Sequence, residues 1–599
     1  MAETETTANN HFLMAEEGIS TEDKKVHGNN NTSGPRPVRE KLIYGVEDRP
    51  PWPTIFLMGI QHFSISFSGC FAVPLVIAKP LCFDVDRELL NQLLGTSFFV
   101  AGITTFLQSF LGTRLPIIQG CSASFIIPVF VLFGLQGPCP PPINSNSTIE
   151  ERQFVKEVAY GRMQQIQGSI CVASLAQVLL GFTGLVGLLL RFIRPITITT
   201  TLLLISIEIL PWASDSCGTH WGISSLCIFL VTLFSQFLNK YDIPLPRGNK
   251  LAVFTMVIIR NYCPFQVLLS VVITWILCLI LTAAGAFPDD PSEYGYKART
   301  DVYSDALRES AWFRFPYPGQ FGVPKVSIAG FVGILGGVMA SVVESLGDYH
   351  ACAFISNTPP PPVHAINRGV AMEGLGCIAA GLWGAPSGFT SYSNNISIMS
   401  ITKVASRVTV YCATGLFVIS GMIFKFNAFY SGMPEPIIGG IMATTFGMVA
   451  SIGFANLAFI KVDSSRNLFI LGIALFLGIG IPDFLVKNPG AINTGSTVVD
   501  QVLNVILGSG MFIGGVGACI LDNIVPGTAD EKGLNWRKEM AGLVDDDVDD
   551  KDEEDKKLRC YDLPFGMNWI RRTHWMRCFP LSPTFVGFRT KFISLNNQI

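Results

Sequence analysis

An uncharged run of eighteen residues, 326–343, ends in Glu344-Ser345-Leu346-Gly347-Asp348. The run is long enough to cross a bilayer as a helix. Positions four apart share one helix face, so the two carboxylates point the same way. Facing lipid, such a pair would be very costly. Three placements avoid that cost: a proton neutralises one acid, a cation sits between or beside them, or both line a wet cavity. Each placement belongs to a protein that moves a small solute across a membrane.

The rest of the chain agrees with a membrane setting. Only 15% of the 599 residues are charged, against 49% hydrophobic, where a soluble globular chain carries roughly 25% charged. The 57 glycines suit close helix packing in lipid. A net charge of −3 offers no basic field for nucleic acid. Fourteen apolar blocks follow one another, at 54–78, 92–111, 115–134, 168–190, 195–213, 219–238, 263–286, 326–348, 369–385, 387–402, 408–427, 435–454, 467–485 and 502–521. The third, fifth, ninth and tenth are shorter or more polar than a span of ~20 residues requires. The expected fold is an all-α polytopic membrane protein with fourteen transmembrane segments. Its domains are a disordered cytosolic tail over 1–50, a transporter body over 51–526 and a cytosolic tail over 527–599. No cleavable signal layout is visible at the polar N-terminus. The acidic run 545–555 reads as solvated tail.

Loop charge sets the orientation. With the N-terminus inside, inner loops hold Arg114, Arg191 and Arg194, Lys240, Arg247, Lys250 and Arg260, Arg368, Lys403 and Arg407, and Lys461 and Arg466. That is the positive-inside pattern, with both termini cytosolic. The sequon Asn146-Ser147-Thr148 then falls outside, where Asn146 is open to glycosylation. Cys82, Cys139 and Cys217 fall in outer loops and allow a disulfide whose pairing the sequence leaves open.

Blocks three and ten are alike. Gln119-Gly120-Cys121-Ser122-Ala123-Ser124 precedes one apolar run, and Gly388-Phe389-Thr390-Ser391-Tyr392-Ser393-Asn394-Asn395 precedes the other. Small polar residues stand where a membrane helix prefers Leu. Broken spans in matching positions of two halves indicate an inverted repeat, here seven plus seven. A half-helix starting inside the membrane exposes N–H groups and a positive dipole end, which suits an anionic or carbonyl-rich solute. Ser122, Ala123, Ser393, Asn394 and Asn395 are therefore candidate solute contacts. Glu344 is the candidate acceptor for a solute N–H or O–H, and Asp348 the candidate holder of a coupling cation, an assignment that can be swapped. Gln61 and His62 mark a polar face in the first span and join Asp348 as candidate cation-coupling residues. Residues 359–362 are four prolines, which read as a stiff linker.

The strings ESLGDYHACA (344–353), PPPPVHAINRG (359–369), SRNLFILG (465–472), NPGAINTG (488–495) and LDNIVPG (521–527) resemble the animal branch of the nucleobase–ascorbate transporter family, solute carrier family 23. Within it the chain is similar to the sodium-dependent vitamin C transporters and the sodium-dependent nucleobase transporter. The resemblance implies fourteen spans in two inverted repeats, core and gate domains, a homodimer, and short strands that begin spans three and ten. It also implies elevator-type transport of a small ring solute with sodium as the co-transported ion, at the plasma membrane. Glu344 matches the family's substrate-binding glutamate, Asp348 the acidic residue linked to cation coupling, and Gln61-His62 a paired Gln-His. The span-ten signature matches at Asn395, Thr402 and Lys403 but departs at Asn394 and Ser397. Vitamin C transporters have Pro at the first position, and nucleobase transporters have Gln or Glu. Ala123 replaces an aromatic residue of the vitamin C transporters. L-ascorbate is the first expectation and a uracil- or xanthine-type base the second, with sodium or proton coupling open. A channel lacks a continuous polar pore here, and a membrane enzyme lacks a visible metal cluster or nucleophile–base pair. A transport-inactive receptor or scaffold is the remaining class, which solute uptake separates from a carrier.

Overall fold

The computed structural model describes residues 42–134, 136–141, 148–237, 266–302, 307–308, 310–533 and 558–585. Asn146, the inner-loop cations Lys240, Arg247, Lys250 and Arg260, and the acidic run 545–555 lie outside them.

The described chain is mostly helical, as hydrocarbon demands of backbone that must bond within its own segment. Its helices are α1 (Trp52–Leu81), α2 (Arg87–Phe110), α3 (Ile126–Gly134), α4 (Ile149–Thr183), α5 (Val186–Phe192), α6 (Pro195–Gly218), α7 (Trp221–Thr232) and α8 (Gln266–Ala283). After these come α9 (Ile328–Ile355), α10 (Val363–Trp383), α11 (Ser393–Thr402), α12 (Arg407–Met422), α13 (Phe424–Ser431), α14 (Glu435–Ala455), α15 (Ser465–Lys487), α16 (Thr497–Leu507), α17 (Gly510–Ile524) and α18 (Met567–Arg572). Two short strands, β1 (Gln119–Cys121) and β2 (Phe389–Ser391), precede α3 and α11. Among the described residues seven helices are long and apolar enough to cross a membrane: α1, α2, α4, α6, α9, α14 and α15. An eighth is obtained if α16 and α17, bent by 71° at their junction, count as one span. This is a multi-pass membrane protein.

The helices form two groups. In the first, α10 packs along α4 and α12 along α2 and α1, with α9 against α3 and α4. In the second, α14 packs along α6 and α7, and α17 along α15 and α6. Small residues bring backbones together. A Cβ on Gly374 would stand 2.8 Å from the Val178 nitrogen, and one on Gly381 2.6 Å from the Cys171 sulfur. The α4–α10 seam is therefore the close contact that glycine permits in lipid.

Several boundaries differ from those the apolar blocks suggest. Helix α4 begins at Ile149, well before the expected 168, under a capping box between Thr148 and Glu151. The extra turns carry charges that an apolar count rejects, including Arg162, which is buried and donates to the carbonyls of Pro80 (2.7 Å) and Gly137 (2.8 Å). Arg162 thereby braces the corner at which Cys82 and Cys139 form a disulfide, while Cys217 is a buried free thiol. Residues 42–50, expected in a disordered tail, are instead docked. The amides of Ile43 and Tyr44 donate to the Lys403 carbonyl, and Glu47 pairs with Arg407. The rest of that expected tail lies outside the described residues.

One end of the second group is clasped by charge. Asp522, whose side chain is fully buried, stands 2.8 Å from Arg466 and 3.5 Å from Arg194, and both guanidiniums also donate to its carbonyl. These residues join α17 to the starts of α15 and α6. Beside them Glu531 accepts from the Thr528 amide, the Ser464 hydroxyl and the Thr528 hydroxyl. Those bonds hold its carboxyl down at about 2, so it is charged at any physiological pH. Asp522→Asn removes the buried anion that two half-buried guanidiniums share, a loss of about 3–5 kcal/mol. Thermal unfolding of the purified chain should show a clearly lowered midpoint, and an unchanged midpoint would rule out the clasp as a stabilising element.

Candidate functional site

Strands β1 and β2 are antiparallel, with Gln119 opposite Ser391, Gly120 opposite Thr390 and Cys121 opposite Phe389. The pairing extends on both sides, through the Ser122 amide to the Gly388 carbonyl and the Tyr392 amide to the Ile118 carbonyl. Two segments that enter apolar surroundings without being helical thus satisfy each other's backbone. Beyond the crossing each chain turns into a helix, at Ala123 and at Ser393. Both N-termini bring a positive dipole end to one place, and the one at Ser393 has no side-chain cap.

A cavity opens there. From the first group it is lined by Gly69, Val73, Cys121, Ala123, Glu344, Thr390, Tyr392, Ser393 and Asn394. From the second it is lined by Leu202 of α6 and by Thr445, Phe446, Val449 and Ile452 of α14. The polar groups come almost entirely from one side and an apolar wall from the other. The Tyr392 hydroxyl donates to the Cys121 carbonyl at 2.8 Å. Its ring passes so close to α1 that a Cβ on Gly69 would stand 2.6 Å from the hydroxyl oxygen, and one on Gly120 would be closer still to the ring.

The opening carboxylate pair divides its work. Glu344 lines the cavity and is half-buried. Asp348 is buried, at 4% exposure, and its Oδ1 accepts from the Ser393 hydroxyl at 2.5 Å. Asp348 Oδ2 is buried with no hydrogen-bond donor among the described residues. One lone carboxylate oxygen beside a serine hydroxyl is oxygen chemistry of the kind a hard cation takes.

The remaining expected site residues separate. Ala123, Ser393 and Asn394 line the cavity. The Asn394 side chain lines the cavity and has no hydrogen-bond partner among the described residues. Asn395 sits behind it, fully buried, with Nδ2 donating to the Pro116 carbonyl (3.0 Å) and Oδ1 accepting from the Ile118 amide (3.3 Å). Ser122 is likewise buried, and its hydroxyl accepts from the Ser124 amide. Both residues fasten the crossing and neither lines the cavity. Gln61 and His62 are buried in α1 away from the lining, and the Gln61 amide and His62 Nδ1 are unbonded among the described residues. The Thr402 hydroxyl donates to the Ile398 carbonyl, and Lys403 ends α11 with φ 57°. These two signature positions close the half-helix.

Glu373 had no place in the sequence reading. It is 2% exposed on α10. Its Oε2 accepts from Ser345 (2.7 Å), Tyr349 (3.1 Å) and Ser391 (3.5 Å), and its Oε1 from Gln177 (3.0 Å). Ser345 in turn meets Thr390, Tyr349 accepts from Gln108, and Ser391 accepts from Gln119. One carboxylate thus ties α2, α4, α9, α10 and both strands together behind the cavity. An acidic residue inside block nine was the available signal. The apolar wall gave none, since Phe446 or Val449 reads like any core residue.

The comparisons with known proteins follow the same lines. Residues 53–486 match a family model described as a permease family, Xan_ur_permease. Solute carrier family 23 member 2 of Homo sapiens is 41% identical over 97% of this chain and 88% of its own length. Solute carrier family 23 member 1 of Mus musculus is 41% identical over 97% and 94%. Nucleobase-ascorbate transporter 1 of Arabidopsis thaliana is 29% identical over 88% and 96%.

Asn395 and Asn394 should behave differently when cut to Ala. Asn395→Ala orphans a buried N–H and a buried carbonyl at the crossing, at about 1–3 kcal/mol each. It should lower the yield of folded protein in size-exclusion profiles, whereas Asn394→Ala should leave the profile unchanged. Equal effects would contradict the division between fastening and lining.

Proposed function

The chain belongs to solute carrier family 23 within the permease family, whose members are transporters rather than enzymes, and from that premise we propose that it is a sodium-coupled symporter of a small planar ring solute, L-ascorbate in the first instance. The observation that supports this reading most is the cavity itself. Glu344, Ser393 and Asn394 face it beside two helix N-termini, so acceptors and donors surround a space walled by Phe446 and Val449. A carbonyl-rich ring can accept from the helix ends while its N–H or O–H groups donate to Glu344. Ala123 completes the contact surface of the third block.

In this proposal Asp348 holds the sodium ion through the oxygen left over from its Ser393 bond. Gln61 and His62 assist from α1 by tuning the polarity of that side. Residues 51–526 form fourteen spans in a seven-plus-seven inverted repeat, of which β1 and β2 begin the third and tenth. The first helix group is the core and the second the gate. The cavity lies where the two groups meet, so sliding one past the other exposes it on alternate sides, which is elevator-type access. The chain works as a homodimer in the plasma membrane, with 1–50 and 527–599 cytosolic and Asn146 glycosylated outside.

A second reading has its own observation. The Asn394 side chain lines the cavity with no hydrogen-bond partner among the described residues, where a vitamin C carrier would have Pro. An amide can donate to and accept from a uracil- or xanthine-type base, as the name nucleobase-ascorbate transporter of the plant relative also suggests.

Labelled uptake of ascorbate, uracil and xanthine, each with and without sodium, decides between these. Sodium-dependent uptake of one solute is expected, and uptake of none would leave only a transport-inactive role. Glu344→Gln should reduce that uptake roughly 10- to 100-fold at unchanged surface level, because a hydrogen bond to a charged group contributes about 1.5–3 kcal/mol. Asp348→Asn should weaken the sodium dependence. Unaltered uptake or sodium dependence would move the solute or the ion elsewhere.

Asn394 is tested by exchange. Asn394→Pro should shift the preference toward ascorbate and Asn394→Gln toward bases, each read as a ratio of uptake rates. Constant ratios across the three proteins would remove this position from selectivity.

A further inference from the structure

We propose that residues 558–562 are a built-in peptide ligand, a strap that the first helix group grips from below and that keeps α9 and α10 in register under the cavity. The grip is on the main chain. Three successive carbonyls each receive an arginine from a different part of the fold. Arg407, at the start of α12, donates to the Cys560 carbonyl at 3.2 Å. Arg368 of α10 donates to the Tyr561 carbonyl at 2.7 Å. Arg114, in the turn after α2, donates to the Asp562 carbonyl. Hydrogen bonds from charged donors are the strong ones, and a row of three fixes the direction and register of the bound segment.

One side chain anchors it. Tyr561 is fully buried, in an apolar cluster with Leu346, Tyr349 and Cys352 of α9. Its hydroxyl donates to the Pro359 carbonyl at 2.6 Å and stands 3.3 Å from the Thr358 hydroxyl. The four prolines thereby gain a purpose beyond stiffness. Proline cannot continue α9, so the Pro359 carbonyl is left for an outside donor. Arg368 also donates to the Gly112 carbonyl at 2.6 Å, which fastens the end of α2 to the same point. The backbone of Arg114 agrees with this hold: it has φ 63°, a left-handed conformation that a non-glycine residue rarely adopts. Such a conformation persists where surrounding contacts over-determine it.

The strap joins the two helix groups by chain connectivity. It follows α17 of the second group in sequence but binds the first. Arg407 holds Glu47 as well, so both terminal segments meet on this face. Farther on, Asn367 donates to the Pro580 carbonyl, and Arg571 pairs with Asp562. The segment is therefore part of the first group's body. Tyr349, which contacts the Tyr561 cluster, also donates to Glu373, so the strap sits one step from the network behind the cavity.

The first arm, cysteine labelling, uses the whole purified chain and needs no solute, so its failure is separate from failure of the transport reading; uptake is the second arm. Cys560 is buried at 6% exposure, whereas Cys578 is exposed. Maleimide labelling, read at each cysteine by peptide mass spectrometry, should be at least tenfold slower at Cys560 than at Cys578. Tyr561→Ala and Arg368→Ala should each raise Cys560 labelling at least tenfold. Tyr561→Phe keeps the ring and loses the two bonds of its hydroxyl, and should raise it severalfold in a chain that still folds. Uptake per surface molecule should fall in the order of Cys560 release. Cys560 labelling as fast as Cys578 in the unaltered chain would overturn the strap. Release in all three variants with unchanged uptake would overturn its hold on register.

Discussion

The structure depends on six residues of β-ladder placed in apolar surroundings. Backbone that leaves the helix inside a membrane must find partners, and the partners here are each other. Once β1 and β2 pair, the helices that follow them are obliged to start at the same depth. Their N-termini then meet at one cavity. Asn395 extends the pairing with side-chain bonds to the backbone on the β1 side, and Ser122 turns the chain into its helix. Everything polar in the site is arranged around that crossing.

The carboxylates illustrate how the crossing distributes roles. Glu344, Asp348 and Glu373 are all acids in apolar segments, yet their surroundings differ. Glu373 is met by four donors and serves as a knot. Asp348 is met by one, which leaves an oxygen over. Glu344 faces the cavity. The number of hydrogen-bond donors falls from four at Glu373 to one at Asp348 and none at Glu344 among the described residues. The opposite wall, from α6 and α14, supplies shape with little polarity, and the proposed sliding of one helix group past the other rests on this asymmetry.

Much of this was legible in the residues. The pair Glu344 and Asp348 marked one polar face of an apolar helix because i, i+4 spacing places both on it, and Glu344 does line a cavity. The Gly- and Ser-rich starts of blocks three and ten announced broken spans because such residues are poor helix formers in lipid. What the residues could not convey was which of two adjacent asparagines faces the cavity. Asn394 and Asn395 have the same chemistry, and a helix turns by about 100° between neighbours. The start of α4 was missed for a related reason. A buried Arg162 looks like a solvent residue until the carbonyls of Pro80 and Gly137 are seen around it.

The sequence by itself determined that this chain lives in a bilayer, that blocks three and ten break from regular helix, and that Glu344 and Asp348 share a helix face, since burial costs and helical spacing act on residues one segment at a time. Only the tertiary structure decided which oxygen is left over on Asp348, that Glu373 is a knot, that Cys82 pairs with Cys139, and that Tyr561 returns to lie under α9. Each of those depends on groups far apart in the chain that meet only once the helices have packed. No local pattern encodes such a meeting.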